Sequence, residues 1–325
     1  MALKGFDKKW KDLPDYILGV TREIWEDRGI ATLEHYYAED IVVRSPASVV
    51  VGNKGVIAAT MATLAEFPDR KLLGEDVIWS GSAEKGDLMS SHRLLSMATH
   101  ANTGVYGEAT GKKLTYRIIA DCAARNNTIY DEWLIRDQGA IVRQMGWDPK
   151  TYAADLIKRE GGPAACVKPL TPKTDCKGDY RGKGNSTSSS QRYASALTRI
   201  MNADLAAITC EYDRACHLEL PGGVTAHGWQ AADQFWIGLR ASFPNAKFKI
   251  DHEIGRDDQG MAPRAALRWS LMGKHEGWGH FGTPTGAEVY VLGISHAEFG
   301  PWGLRREYVV IDESAIWKQI LLKTG

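Results

Sequence analysis

The sequence has no long apolar run and no excess of either charge. No stretch approaches the roughly 18 apolar residues that a membrane-spanning helix needs, and the N-terminus, MALKGFDKKWKDLPDY, lacks the apolar core of a signal peptide. Forty Lys and Arg residues balance forty Asp and Glu residues, so there is no electrostatic reason to expect nucleic acid or a membrane surface as a partner. We therefore expect a cytoplasmic protein with a small ligand that is not strongly charged.

Motifs that bind metals or nucleotides are also missing. The five cysteines include no CxxC pair and the histidines do not cluster as metal ligands. There is no P-loop, HExxH motif, GxSxG elbow or dinucleotide-binding fingerprint. We expect reduced thiols, no metal and no cofactor, which leaves acid–base catalysis as the available chemistry.

What the sequence does contain is an internal repeat. Adding 175 to each residue number places residues 93–144, without a gap, on residues 268–319. Thirteen of these 52 pairs are identical, where ordinary composition would give about three by chance. A chain of 325 residues is also long enough for two domains. The predicted division is a first domain at 1–159, a Gly-, Pro- and Ser-rich linker at 160–190 and a second domain at 191–325.

Within each predicted domain, helices come first and strands last. Apolar residues recur at helical spacing in residues 14–27, 53–66, 192–210 and 229–242. Later stretches such as LLSMATH and KLTYRIIADCAA alternate and end at Gly-rich turns, which is typical of antiparallel strands. The predicted fold class is α+β, with two tandem cone-shaped domains that each have a curved antiparallel sheet and helices on one face.

One strand pattern indicates a candidate site. Period-two alternation in EWLIRD, residues 132–137, puts an aromatic residue, a β-branched residue and an aspartate on one face, and the second copy repeats this. Such an aspartate either ends a strand at the water line or points into an apolar cavity, where its pKa would rise and suit proton transfer. Its recurrence favours the cavity. The residues on these faces are Trp133, Ile135 and Asp137 in the first copy and Tyr308, Val310 and Asp312 in the second.

Two other repeated pairs have alternative interpretations. His100 and His275 follow a predicted strand and precede a Gly-rich turn. Each is either a hydrogen-bonded turn residue or a pocket donor that polarises a carbonyl group. Arg93 and Arg268 are candidates for structural ion pairs or for substrate contacts.

Together these motifs resemble the SnoaL-like polyketide (ester) cyclases, of the nuclear transport factor 2-like, cystatin-like superfamily. The family uses an aspartate as general acid/base in an intramolecular aldol condensation, with neither metal nor Schiff base. The resemblance implies catalytic roles for Asp137 and Asp312, with His100 and His275 as the family histidine. It is carried in the first copy by Thr99-His100, Gly107, Thr110-Gly111, Glu132-Trp133, Asp137 and Gln144-Met145-Gly146, and in the second by His275-Glu276-Gly277, Pro284-Thr285-Gly286, Glu307, Asp312 and Gln319.

The resulting hypothesis is a cyclase- or isomerase-type enzyme acting on a carbonyl or polyketide-like compound. Asp137 would move the proton and His100 would hold the developing oxyanion, and the first copy is favoured as the catalyst. The alternative is a non-catalytic protein that binds or senses a small molecule on the same fold. We also expect the two copies to pair within the chain as a pseudo-dimer, which could associate into a higher homo-oligomer.

Overall fold

The computed structural model describes residues 3–325 and contains two α+β units. The helices of the first unit are α1 (Leu13–Trp25), α2 (Leu33–Tyr36), α3 (Asn53–Glu66), α4 (Gln138–Met145) and α5 (Pro149–Arg159). Its strands are β1 (Tyr37–Ser45), β2 (Ser48–Val51), β3 (Lys71–Ser80), β4 (Leu88–Thr99), β5 (Lys113–Arg125) and β6 (Thr128–Arg136).

The second unit repeats the order of elements of the first, except that no helix matching α5 follows its last helix within residues 3–325. Its helices are α6 (Ser188–Met201), α7 (Ala206–Glu211), α8 (Trp229–Ser242) and α9 (Glu313–Thr324). Its strands are β7 (Tyr212–Leu220), β8 (Val224–His227), β9 (Lys247–Arg256), β10 (Arg264–Lys274), β11 (Glu288–Gly300) and β12 (Gly303–Ile311). Within residues 3–325, no helix is both long and apolar enough to span a membrane.

The two sheets have matching topologies, which confirms the repeat. The strand order is β2-β1-β6-β5-β4-β3 in the first and β8-β7-β12-β11-β10-β9 in the second. Four of the five strand pairings in each sheet are antiparallel, as predicted, and the fifth is parallel, between β1 and β6 in the first sheet and between β7 and β12 in the second. Local alternation shows which face a side chain occupies but carries no information on the direction of a neighbour that is distant in sequence.

Helix α1 covers one face of the first sheet. Asp12 caps it by accepting a hydrogen bond from the Asp15 backbone N–H at 2.9 Å, and Pro14 occupies its first turn. Its buried residues are Leu13, Tyr16, Ile17, Val20 and Ile24. Because these recur every three or four positions, they form one apolar stripe that packs against the sheet.

The segment predicted as a linker lies against both units. The Leu170 backbone N–H donates to the Pro46 carbonyl oxygen at 2.9 Å in the first unit. The Tyr180 hydroxyl is 2.8 Å from His252 Nε2 in the second unit. The segment therefore helps to hold the units together, and α6 begins within it at Ser188.

The outer faces of the two sheets pack against each other, forming the internal pairing that the repeat predicted. A buried apolar cluster spans the two units and consists of Ile119, Ile135, Leu170, Leu292, Ile294 and Val310. Polar contacts surround it. The Ser91 hydroxyl is 2.8 Å from His296 Nε2, and Arg268 Nη1 is 2.7 Å from Asp121 Oδ2.

Candidate functional site

A cavity of about 180 Å³ lies in the first unit, between helices α1 and α3 and the inner face of the sheet. Most of its wall is apolar, with Ile17, Val20, Ile24, Leu94, Ile118 and Leu134 among the lining residues. Its ionisable side chains are Tyr37, Arg70, His92, Cys122, Glu132 and Arg136. A single water molecule needs only about 10–15 Å³, so the cavity has room for a small organic ligand.

Glu132 is the buried carboxyl group of this cavity. The pleat of β6 places it on the same face as Leu134 and Arg136, and the side chain is 6% exposed. Burial raises the pKa of Glu132 to about 7, while hydrogen bonding by Tyr37 and the positive charge of Arg136 limit the rise. Its Oε2 atom has no hydrogen-bond partner within residues 3–325. Glu132 can therefore hold or release a proton near neutral pH.

His92 lines the same cavity from β4. Its Nδ1 atom is 3.3 Å from the Ser90 hydroxyl. Burial lowers the pKa of His92 to about 4, so the imidazole is neutral at pH 7. The Ser90 hydroxyl has one proton and two acceptors within reach, His92 Nδ1 and the Cys122 carbonyl oxygen at 3.5 Å. In the tautomer in which it donates to Nδ1, the ring proton is on Nε2 and can be donated to a carbonyl oxygen.

Arg70 and Arg136 supply positive charge. Arg70 lies between α3 and β3 and is 3% exposed. Its guanidinium stacks over the Trp25 ring at 4.3 Å, and its Nε donates to the Ser96 hydroxyl at 3.3 Å. Burial lowers the pKa of Arg70, and the nearby charge of Arg136 lowers it further. Arg136 ends β6 on the cavity face.

The sequence assigned the wrong face of β6 to the cavity. Trp133 and Ile135 lie on the outer face, where Ile135 joins the cluster between the units and Trp133 stacks on Arg268 at 3.6 Å. In the second unit, Val310 joins the same cluster and Tyr308 stacks on Arg93 at 3.5 Å. The physical reason is that both faces of the sheet are buried, so an apolar face need not line a ligand cavity.

Asp137 caps α4 outside the cavity. Its Oδ1 accepts hydrogen bonds from the backbone N–H groups of Ala140 and Gly222, and its Oδ2 accepts one from Gly223, all at 2.9 Å. Burial raises the pKa of Asp137 to about 6, and these donors limit the rise. The side chain borders a groove of about 520 Å³ between the units. Asp137 therefore joins the start of α4 to the β7–β8 turn.

Asp312 has the matching position at the start of α9. Its Oδ1 accepts a hydrogen bond from the Ala315 N–H at 2.9 Å, and burial raises the pKa of Asp312 to about 7. Both aspartates are helix N-caps, an interpretation that strand alternation did not suggest.

Replacement of Asp137 by Asn is expected to destabilise the protein by about 1–3 kcal/mol, because the amide NH₂ would face a backbone N–H group. Folded Asp137→Asn protein should keep the ketone proton-exchange activity that is proposed below. The free energy of unfolding from urea titration and the activity per folded molecule measure the two effects. A stable variant without activity would instead support the catalytic role that the sequence predicted.

The two predicted histidines are turn residues. His100 is fully buried, with Nε2 3.1 Å from Glu66 Oε1 and Nδ1 3.1 Å from the Thr110 hydroxyl. His275 Nδ1 is likewise 3.1 Å from the Thr285 hydroxyl. His100 does not line the first-unit cavity, and both of its ring nitrogens have partners, so the structure favours the hydrogen-bonded turn for this residue. His275 Nε2 is buried and has no hydrogen-bond partner within residues 3–325.

The two predicted arginines form ion pairs. Arg93 Nε is 2.9 Å from Glu75 Oε2. Arg268 is paired with Asp121 across the units. Both arginines therefore have a carboxylate partner, as the structural alternative expects, and neither lines the first-unit cavity.

The interior of the second unit is filled by two tryptophans. Trp236 on α8 matches Thr60 on α3, and Trp269 on β10 matches Leu94 on β4. Both indoles are fully buried, with ring centres 6.1 Å apart. Trp269 Nε1 donates to the Ser295 hydroxyl at 2.8 Å. These rings fill part of the space that forms the cavity in the first unit. The second unit keeps a pocket of about 390 Å³, lined by Leu220, Val224, Ala226, Phe235 and Ile311 among others.

The polar side chains of the cavity are also changed in the second unit. Glu307 matches Glu132, and its Oε1 accepts hydrogen bonds from the hydroxyls of Tyr193 and Tyr212, both at 2.8 Å. The other matched pairs are Arg70 with Ala246, His92 with Leu267 and Arg136 with Ile311. This difference favours the first unit as the site of any chemistry. The sequence analysis also favoured the first copy, but for different residues.

The free energy of unfolding should depend on pH because Glu307 is buried and becomes ionised as the pH rises. Burial raises its pKa to about 7 from 4.5. Its stabilising contribution is therefore fully present below pH 4.5 and is lost as the pH rises through 7. Glu307→Gln removes this effect, so the variant should gain on the order of 2 kcal/mol relative to wild type between pH 5 and pH 8. Urea unfolding at both pH values measures the gain, and an equal difference at both would contradict the prediction.

The family comparison matches the first unit of the chain. Residues 16–145 match the family model of the SnoaL-like polyketide cyclases. The matched range lies within the first unit, which is therefore similar to this family. The matched range ends at the last residue of α4 and so includes the whole sheet and the whole cavity. No curated protein matches the chain.

Solved structures similar to this chain each correspond to about one unit. IdmH from Streptomyces antibioticus is 22% identical, with 41% of this chain and 98% of that chain covered and a TM-score of 0.36. TsrD from Streptomyces laurentii is 16% identical, with coverages of 40% and 95% and a TM-score of 0.35. A SnoaL-like polyketide cyclase from Agrobacterium tumefaciens is 18% identical, with coverages of 42% and 99% and a TM-score of 0.31.

The sequence did contain a signal for the residues that were missed. Glu132 is one of the identical pairs of the repeat, and it lies on the strand face that the prediction set aside. His92 and Arg136 stand where the second copy has Leu267 and Ile311. Polar residues that a duplicated copy replaces by apolar ones are candidates for a function that only one copy keeps.

Proposed function

We propose that the first unit is an acid–base enzyme that moves a proton beside the carbonyl group of a small compound, with Glu132 as the proton-transfer group. The main support is the state of this carboxyl group. It is buried in a cavity wall, one of its oxygens has no partner within residues 3–325, and burial raises its pKa to about 7. A general base is most effective when its pKa lies near the working pH.

His92 is the proposed donor to the carbonyl oxygen. Removing a proton beside a carbonyl group places negative charge on that oxygen, and a positioned donor in a site that excludes water stabilises it. The neutral ring of His92 lies in the same cavity wall as Glu132. Arg136, also in this wall, adds a positive charge near the developing enolate. Aldol cyclisation and isomerisation both begin with this step, so the proposal covers both.

Asp137 with His100 is the alternative assignment of these roles. Both residues lie outside the cavity and are engaged in structural hydrogen bonds. The Asp137→Asn variant described above separates the two assignments.

The test is proton exchange in a small ketone. Methyl 4-oxopentanoate is incubated with the protein in deuterated buffer, and loss of the proton signals beside its ketone is followed by NMR. We expect saturable exchange whose rate rises with pH through about 7, as Glu132 loses its proton. A protein that binds the ketone without accelerating exchange would be a non-catalytic binding protein and would contradict the proposal.

A further inference from the structure

We propose that the first-unit cavity binds its ligand through a carboxylate group held by Arg70 and Arg136, so that the substrate class is small keto acids. That the bound keto acid is a substrate, and not only a ligand, rests on the proposed function. The carboxylate site itself rests on the cavity alone.

Arg70 is a buried cation without an anionic partner. Within residues 3–325 it forms no salt bridge. Apart from burial, the groups that shift the pKa of Arg70 are Tyr116, Arg136 and Tyr106, and none of these is a carboxylate. Its Nη1 atom is buried and has no hydrogen-bond partner there. Leaving a charge buried and unpaired is strongly unfavourable. An anionic ligand group would supply the missing partner.

The charges around the cavity do not balance. Arg70 and Arg136 are both cationic, and Glu132 is the only carboxyl group among the lining residues. Even when it is fully ionised, Glu132 cancels only one of these two positive charges. Burial lowers the pKa of His92 to about 4, so this ring is neutral at pH 7. The lining therefore has an excess of at least one positive charge.

The second unit shows that the fold does not require these groups. Ala246 occupies the position of Arg70, and the backbone hydrogen bond at this turn is kept, from Arg70 N–H to Phe67 at 3.2 Å and from Ala246 N–H to Phe243 at 3.1 Å. Ile311 occupies the position of Arg136. Since the matching unit folds with apolar residues at both positions, a structural role does not explain the two arginines.

The size and wall of the cavity favour a carboxylate on a short carbon skeleton. The volume is about 180 Å³ and most lining residues are apolar. A guanidinium group matches the planar geometry of a carboxylate and can donate two parallel hydrogen bonds to it. The apolar wall would contact the carbon skeleton, and the ketone would lie within the cavity that also contains Glu132 and His92.

The experiment compares the binding of three probes to the full chain at pH 7 by ligand-observed NMR titration. They are 4-oxopentanoate, its uncharged methyl ester and inorganic phosphate. We expect the carboxylate to bind about 10- to 100-fold more tightly than the ester, the range expected for hydrogen bonds to a charged group. Equal affinities for acid and ester would overturn the proposal. Phosphate that displaces 4-oxopentanoate at equal concentration would overturn the choice of carboxylate.

Variants of Arg70 test whether this residue binds the carboxylate group. Arg70→Met should remove most of the preference for the acid, since only Arg136 remains to hold the carboxylate, and Arg70→Lys should retain more of it. The matched control is Arg125→Met, because Arg125 is an exposed arginine paired with Asp179, and it should keep the full preference. Arg70→Met should also raise the urea midpoint without ligand, since it removes an unpaired buried charge. A lower midpoint with an intact acid preference would mean that Arg70 is structural and would contradict the proposal.

The outcome is independent of catalysis. Binding requires no proton exchange, so a protein that prefers the acid but does not catalyse exchange would support this inference and contradict the proposed function. Conversely, a wild-type protein that exchanges the protons of the methyl ester but binds acid and ester with equal affinity would support the proposed function alone.

Discussion

Replacement of Glu132 by Gln is expected to lower the rate of ketone proton exchange by about 100- to 10,000-fold, the usual contribution of a general acid or base. The amide has nearly the same shape as the carboxyl group but cannot accept the proton. Burial and the neighbouring Tyr37 and Arg136 are unchanged, so the cavity should still bind ligand. The rise in rate through pH 7 should disappear together with the activity.

The control is the same substitution in the second unit. Glu307 is the repeat partner of Glu132, is fully buried and has its pKa raised to the same value of about 7. It faces an interior filled by Trp236 and Trp269. Glu307→Gln should therefore leave exchange unchanged. Equal losses in both variants would point to a general effect on folding, and full activity in Glu132→Gln would remove Glu132 from the mechanism.

Replacement of Asp121 by Ala should have the largest effect on stability, a loss of about 3–5 kcal/mol, because it leaves a buried cation unpaired. Asp121 Oδ2 is 2.7 Å from Arg268 Nη1, and both side chains are buried between the two units. Arg268 also stacks on Trp133, so it cannot reach water without disrupting the contact between the sheets. Urea unfolding at pH 7 measures the loss.

Two further variants show whether this loss comes from the unpaired charge. Asp179→Ala removes the partner of exposed Arg125 and should cost no more than about 1 kcal/mol. The double variant Asp121→Leu/Arg268→Met replaces the whole pair by apolar groups and should recover most of the stability. If the double variant were as unstable as Asp121→Ala, packing between the units would explain the loss instead.

Identical residues at a fixed offset were sufficient to predict the repeat, and the periodicity of apolar residues was sufficient to predict the α+β class and several helices. The pattern in residues 53–66 and 229–242 coincides with α3 and α8. These predictions succeeded because the spacing of apolar residues on a helix or strand is a local property, and a duplication preserves it in both copies. The motifs of the first copy also led to the SnoaL-like family, which the family match bears out.

Only the tertiary structure decided which side chains face the cavity. Alternation in β6 defines two faces, with Glu132 and Arg136 on one and Trp133 and Ile135 on the other, but it cannot show which face is covered by helices and which by a second sheet. Because the second unit buries the outer face, both faces are apolar enough to resemble a cavity wall. Asp137 lies just beyond the strand, where the local backbone makes it a helix cap. The cavity, its charge imbalance and its different lining in the second unit depend on contacts between residues far apart in the chain, which local patterns do not encode.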